Sequence, residues 1–169
     1  MTVILGINAF HADSAAALIK DGTILSAIEE ERFQRIKHCA GFPIEAIRWC
    51  LEDAGMKPSD IDHICINTDP KAHQARRILY TLSNRVDPLF LLSRWKNKRE
   101  RNDLGGQLLN AFPSQRFTGR IHYVDHHRSH LASAFYASTF TEANIVSIDG
   151  FGDFASVAWG FGQIGRAHV

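Results

Sequence analysis

One stretch of this chain occurs twice. Ile4-Leu5-Gly6-Ile7-Asn8-Ala9-Phe10 lines up with Ile145-Val146-Ser147-Ile148-Asp149-Gly150-Phe151 at a constant offset. The register carries on, with Ser14-Ala15-Ala16-Ala17 opposite Ala155-Ser156-Val157-Ala158. Each copy reads as an apolar strand, a tight turn with a polar residue at its mouth, and a strand of small residues. Short apolar strands resemble one another by chance, but here the polar position and the Phe after it coincide as well. The echo implies two related lobes, with the first and only the opening hairpin of the second in this chain.

Around the first copy the chain reads as a three-stranded antiparallel meander. Its strands are Val3 to Asn8, Ser14 to Ile19 and Ile24 to Ile28, the last two joined by the hairpin signal Asp21-Gly22. Then comes Glu29-Glu30-Glu31-Arg32-Phe33-Gln34-Arg35-Ile36-Lys37-His38, whose charge pattern taken alone favours a solvated face. Pro43 to Ala54 reads as an amphipathic helix, with Ile44, Ile47, Leu51 and Ala54 as its buried stripe and Gly55 just past its end. Asp60 to Asn67 alternates polar and apolar and reads as a strand. Residues 70–118 read as a less regular helical insertion, interrupted by Gly105-Gly106. Its basic run, residues 94–101, lacks the aromatic interleaving of a nucleic-acid surface and fits a solvated helix face better. Gly119 to Val124 is a strand leading into a helix from His126 to about Ser138, with Asp125 as a plausible N-cap. The expected class is α/β, with a first lobe over residues 1–140 and a second beginning over 141–162.

A formal charge of +1 gives no global case for nucleic acid or an acidic membrane. Cys39, Cys50 and Cys65 are odd in number and widely spaced, which fits reduced thiols and a cytoplasmic location better than a disulfide framework. Cys50 and Cys65 sit in apolar patterns and are expected in the core. Neither a signal peptide nor a bilayer-spanning run is expected. Gln163-Ile164-Gly165-Arg166-Ala167-His168-Val169 resembles the translation of a common sequencing adapter, so the natural protein is expected to continue past about Gly162.

Several clusters can carry chemistry. His126 and His130 lie four apart on one helix face, a spacing at which two imidazoles share a metal ion, and Asp149 ends the second-copy strand. On spacing alone, two surface histidines on an ordinary helix start have a slight edge. Asp149-Gly150-Phe151-Gly152-Asp153 sets glycines between carboxylates. Gly150 and Gly152 would let backbone N–H groups approach a phosphate, and Asp153 would help hold a nucleotide-bound ion. A hairpin turn accounts for the same residues. In the first copy, His11 or Asp13 is a candidate base for a hydroxyl acceptor and Ser14 a candidate substrate ligand; turn chemistry accounts equally well for Asp13 and Ser14. Walker-type, GxSxG and GxGxxG motifs are absent.

Taken together, these motifs resemble one family. Residues 4–8, His11 to Leu18 with Lys20-Asp21-Gly22, the Glu29–His38 block, Phe42-Pro43, Ala46-Ile47, Cys50-Leu51, the His126–His130 run and Asp149 to Asp153 are similar to the O-carbamoyltransferases of the nodulation-factor, cephamycin and tobramycin type. The resemblance is good over roughly residues 3–67 and 121–162 and loose over 70–118. Many relatives read His-Asp before the Ser-Ala-Ala run, whereas here Ala12 separates His11 from Asp13. It implies an actin/hexokinase-like (ribonuclease H-like) lobe pair, followed by a C-terminal domain that forms carbamoyladenylate from carbamoyl phosphate and ATP. The carbamoyl group then passes to a hydroxyl of a small-molecule or sugar acceptor, with no nucleic acid or membrane partner. It also implies a divalent metal, Fe2+ in character, on His126, His130 and Asp149. The fragment by itself is expected to be inactive. Two alternatives stay open: a threonylcarbamoyl-type transferase acting on tRNA, and a non-catalytic nucleotide- or sugar-binding lobe.

Overall fold

The computed structural model describes residues 1–69, 72–73, 79, 103–152 and 155–168. The basic run 94–101, most of the expected helical insertion and the candidate Asp153 lie outside the described residues. The chain divides into two compact units, Met1–Asn67 with Leu89–His122, and Thr68–Pro88 with Tyr123–Val169.

In the first unit, β1 (Val3–Asn8), β2 (Ala15–Lys20) and β3 (Thr23–Glu29) form the expected antiparallel meander. Asp21 and Gly22 both take left-handed φ, 49° and 83°, as a type I′ hairpin turn requires. A four-residue helix α1 (Glu31–Gln34) and the helix α2 (Ile44–Asp53) follow, and β4 (His63–Ile66) returns parallel to β1. Helix α3 (Leu104–Ala111) precedes β5 (Arg120–Tyr123), and the strand order is β3-β2-β1-β4-β5. This mixed sheet, opening in a meander, is the expected α/β lobe.

The alternation of β1 decides where the core lies. Val3, Leu5 and Ile7 are buried on one face and meet Ala46, Ile47, Cys50 and Leu51 of α2, with Ile64 and Ile66 of β4. Three expectations shift here. The buried stripe of α2 is Ala46, Ile47, Cys50 and Leu51, so Ile47 and Leu51 lie at its centre as expected while Ile44 and Ala54 are only partly buried at its margin. Cys65 is only partly buried, since alternation turns it to the opposite face of β4 from Ile64 and Ile66. The strand expected from Asp60 begins only at His63: Asp60 ends a 3-10 turn, and Asp62 stays out of β4, its carboxylate accepting the Val3 N–H at 2.8 Å.

Gly105-Gly106 does not interrupt a helix but lies inside α3. Asp103 caps the helix by accepting the Gly106 N–H at 2.8 Å, and a Cβ at Gly106 would collide with the Asp103 carboxylate.

In the second unit, α4 (His126–Tyr136) carries the histidine run, and β6 (Glu142–Gly152), β7 (Ala155–Gln163) and β8 (Arg166–His168) make an antiparallel sheet. Asp125 is the N-cap, accepting the Arg128 N–H at 3.0 Å. Leu131 and Phe135 are the buried apolar residues of α4, which packs on β6 and β7.

The echo survives in three dimensions. Leu5 pairs with Leu18, Gly6 with Ala17 and Ile7 with Ala16. At the same offset, Val146 pairs with Trp159, Ser147 with Ala158 and Ile148 with Val157. The two hairpins share this cross-strand register; Asn8 ends β1, whereas its counterpart Asp149 lies inside β6, just past the last regular pair Ile148–Val157.

Candidate functional site

The side chains of His126, His130 and Asp149 converge. His126 Nε2 lies 2.7 Å from Asp149 Oδ2, and His130 Nε2 lies 3.1 Å from His126 Nε2 and 3.5 Å from the same carboxylate oxygen. The helix supplies two of these groups, because positions four apart share a face. The strand supplies the third through its two-residue period: Ile145, Ser147 and Asp149 share the β6 face turned to α4.

His127, between the two histidines, also turns to β6 but is buried, 2% exposed. Its Nδ1 lies 3.0 Å from the Ser147 hydroxyl, a hydrogen bond between α4 and β6 that fixes the helix over the strand. With Ser147 pinned, Asp149 two residues on falls opposite His126.

The triad fits a small divalent cation. One proton on His126 Nε2 cannot point at both neighbours, so protons leave a contact unbridged, whereas a cation accepts a lone pair from all three atoms. The three spacings bracket the edge of about 3.0 Å between neighbouring ligands of an octahedral ion with bonds of about 2.1 Å. Asp149 is held in the ligand form: its pKa lies below the usual 3.8, first through the His126 hydrogen bond and then through the Gly150 N–H. His126 is mostly covered and His130 is half exposed, so the cluster opens on the His130 side. Among the described residues, it is the one group of three or more His, Cys, Asp or Glu residues close enough to hold a metal.

The other candidates are placed differently. Gly150 lies in extended strand, and its N–H donates to Asp149 Oδ1 at 2.6 Å. That N–H is therefore turned to the carboxylate rather than to an anion, and the rest of the expected concavity includes Asp153, outside the described residues. Gly152 ends β6, opposite Ala155.

In the first unit, Ser14 is buried and its hydroxyl donates to the Cys39 carbonyl at 2.9 Å, so it is committed to structure rather than turned outward. His11 is exposed. Asp13 accepts from His38 Nδ1 at 2.8 Å, with the Nδ1–H tautomer assigned from this partner.

His38 was not a candidate, and Glu30, in the segment expected to be a solvated face, is instead 3% exposed and accepts the Ala46 N–H of α2 at 2.8 Å. Both lie in the charged block. The available signal was the block itself, where charge hid one buried carboxylate and one oriented imidazole.

A family model described as carbamoyltransferase N-terminus matches residues 3–167. An uncharacterized Synechocystis protein, sll1178, is 37% identical over 176 residues, covering 96% of this chain and 28% of its own length. The nodulation protein NolNO of Sinorhizobium fredii is 40% identical over 153 residues, covering 88% of this chain and 21% of its own. The chain thus spans between a fifth and a third of the length of these curated relatives. Among solved structures, YeaZ from Pseudomonas aeruginosa superposes with a TM-score of 0.49 at 16% identity, covering 99% of this chain and 64% of that one.

Proposed function

The chain belongs to the carbamoyltransferase family, as its N-terminal region, and from that premise we propose that the whole protein is an ATP-dependent O-carbamoyltransferase. In this reading carbamoyl phosphate is the donor and carbamoyladenylate the activated form. A hydroxyl of a small molecule or sugar is the acceptor. The observation that carries the reading to a site is the convergence of His126, His130 and Asp149, in a chain matched by the family model over residues 3–167.

These three residues would hold the divalent cation, and two imidazoles with one carboxylate suit Fe2+. When bound, the ion supplies positive charge that stabilises charge building on a phosphate leaving group. The protein's own contribution is positional. Asp125 caps α4 so that His126 begins a formed helix, the His127–Ser147 bond sets the helix on the strand, and Asp149 remains anionic.

No nucleic acid or membrane partner is proposed, and no described helix is long and apolar enough to cross a membrane.

The test uses the full-length protein with carbamoyl phosphate, ATP and a broad panel of alcohols and sugars. ATP consumption with formation of a carbamate is expected; neither event on any acceptor refutes the reading. The paired substitution His126→Ala/His130→Ala should strip the purified protein of its metal by elemental analysis, and unchanged metal content would sink the cation site.

A further inference from the structure

Four register positions of the repeated hairpin are apolar in both copies and buried in only one. In the first unit they are Leu5, Ile7, Ala16 and Leu18, none more than 3% exposed. Their counterparts at the same offset are Val146, Ile148, Val157 and Trp159, which are between 55% and 81% exposed. Pairing joins each set. Leu5 faces Leu18 and Ile7 faces Ala16, just as Val146 faces Trp159 and Ile148 faces Val157. Phe161, two residues past Trp159 on β7, extends the same exposed face.

Alternation puts this face opposite the one that α4 covers. Ile145, Ser147 and Asp149 of β6 turn toward α4, and on β7 a Cβ at Gly162 would collide with the Phe135 ring of that helix. Among the described residues, the reverse face stays open. Single apolar side chains on a surface are ordinary. Contiguous cross-strand pairs with a Trp among them are not, and such a patch marks a surface that something covers. The strand order β6-β7-β8 also leaves β6 at the edge of its sheet, where bare apolar side chains invite pairing with other chains.

The first copy shows what fits such a face. There the four positions share one core with Ala46, Ile47, Cys50 and Leu51 of α2, an apolar stripe at i, i+1, i+4 and i+5. That helix belongs to the same polypeptide and follows the hairpin in sequence. The curated relatives have chain to spare for a second such helix, since the span matched here is 28% and 21% of their lengths. Side-chain sizes narrow its surface. Trp159 stands where Leu18 does and Val157 where Ala16 does, so the second face is bulkier along β7; Val146 is slimmer than Leu5 on β6. Close packing then asks for the small residues of the covering helix over β7 and its large ones over β6.

We propose that an amphipathic helix of the full-length protein, downstream of β7, docks on the face formed by Val146, Ile148, Val157 and Trp159, as α2 docks on the first hairpin. The repeat favours this occupant over a second copy of the chain, because the first hairpin buries the same positions with its own downstream helix. The docked helix backs the strand that carries Asp149, while α4 covers the front, so β6 is held from both faces. The proposal stands apart from the reaction and from the cation site.

The experiment is hydroxyl-radical footprinting of the purified full-length protein, read by mass spectrometry at Ile148 and Trp159. Oxidation of both should be about tenfold slower in the native protein than in urea, whatever the protein concentration. Native rates within about twofold of those in urea overturn the proposal. Protection that fades on dilution also overturns it, because it assigns the face to a second copy. A photoreactive p-benzoylphenylalanine in place of Ile148 then identifies the occupant. The expected product is an intramolecular cross-link to a downstream segment with apolar residues at i, i+1, i+4 and i+5. A cross-link between two copies, one to residues 1–67, or none from the folded protein overturns the assignment. Where the bulky residue prevents folding, footprinting of the parent protein decides.

Discussion

Glu30 should be one of the most costly single carboxylates to remove from the first unit. Helix α2 begins after Pro43 with no side-chain cap of its own, so its first N–H groups need acceptors from elsewhere. Glu30 supplies them: Oε2 accepts from Ala46 N at 2.8 Å, Oε1 from Glu45 N at 3.4 Å, and Gln34 Nε2 donates to Oε1 at 3.1 Å. In Glu30→Ala the buried Ala46 N–H loses its partner, at about 1–3 kcal/mol. Removing negative charge from a partly buried helix N-terminus adds about 0.3–2 kcal/mol. The 3.4 Å contact is long enough to contribute little. A loss of about 2–4 kcal/mol follows, and Glu30→Gln, which keeps one acceptor oxygen but not the charge, should lose about half as much. Urea unfolding reads the change as a shift in midpoint at constant slope, and hydrogen exchange at the Ala46 amide should quicken in step. A folded Glu30→Ala protein destabilised by less than about 1 kcal/mol, or a Gln variant no better than Ala, would refute the capping argument.

The remaining expectations are shorter. Leu5→Ala empties a fully buried position between β1 and α2 and should cost about 2–5 kcal/mol in urea unfolding. Gly119→Ala places a Cβ 2.7 Å from the Ile61 carbonyl and close to the Asp62 backbone, so thermal denaturation should show a loss of about 1–3 kcal/mol. Asp125→Ala removes the cap of α4, costs about 1 kcal/mol, and should weaken metal retention at His126 and His130 in a chelator competition. NMR titration of His38 should give a pKa above 6.5 that returns toward 6.5 in Asp13→Asn. Because the folded value is raised, the stabilisation from this pair is fully present below 6.5 and fades as pH rises through the folded pKa.

Several features were legible in the residues because their causes are local. The strand β1, the type I′ turn at Asp21-Gly22, the Asp125 cap and the one-face spacing of His126 and His130 each depend on residues within a few positions of one another. The echo went further: side-chain alternation and matched turn positions carry pairing register, and both hairpins keep it. What escaped depends on partners distant in sequence. A carboxylate in a charged block looks solvated until α2 arrives with unsatisfied N–H groups, and then burial of Glu30 is favourable. Ser14 looks available until Cys39, 25 residues on, offers a carbonyl. The opening repeat and the histidine spacing were set by sequence alone. That Asp149 meets His126, and Asp13 meets His38, was decided only by packing: hydrogen-bond geometry is fixed to tenths of an ångström, and no local periodicity encodes the distance between segments 23 and 25 residues apart.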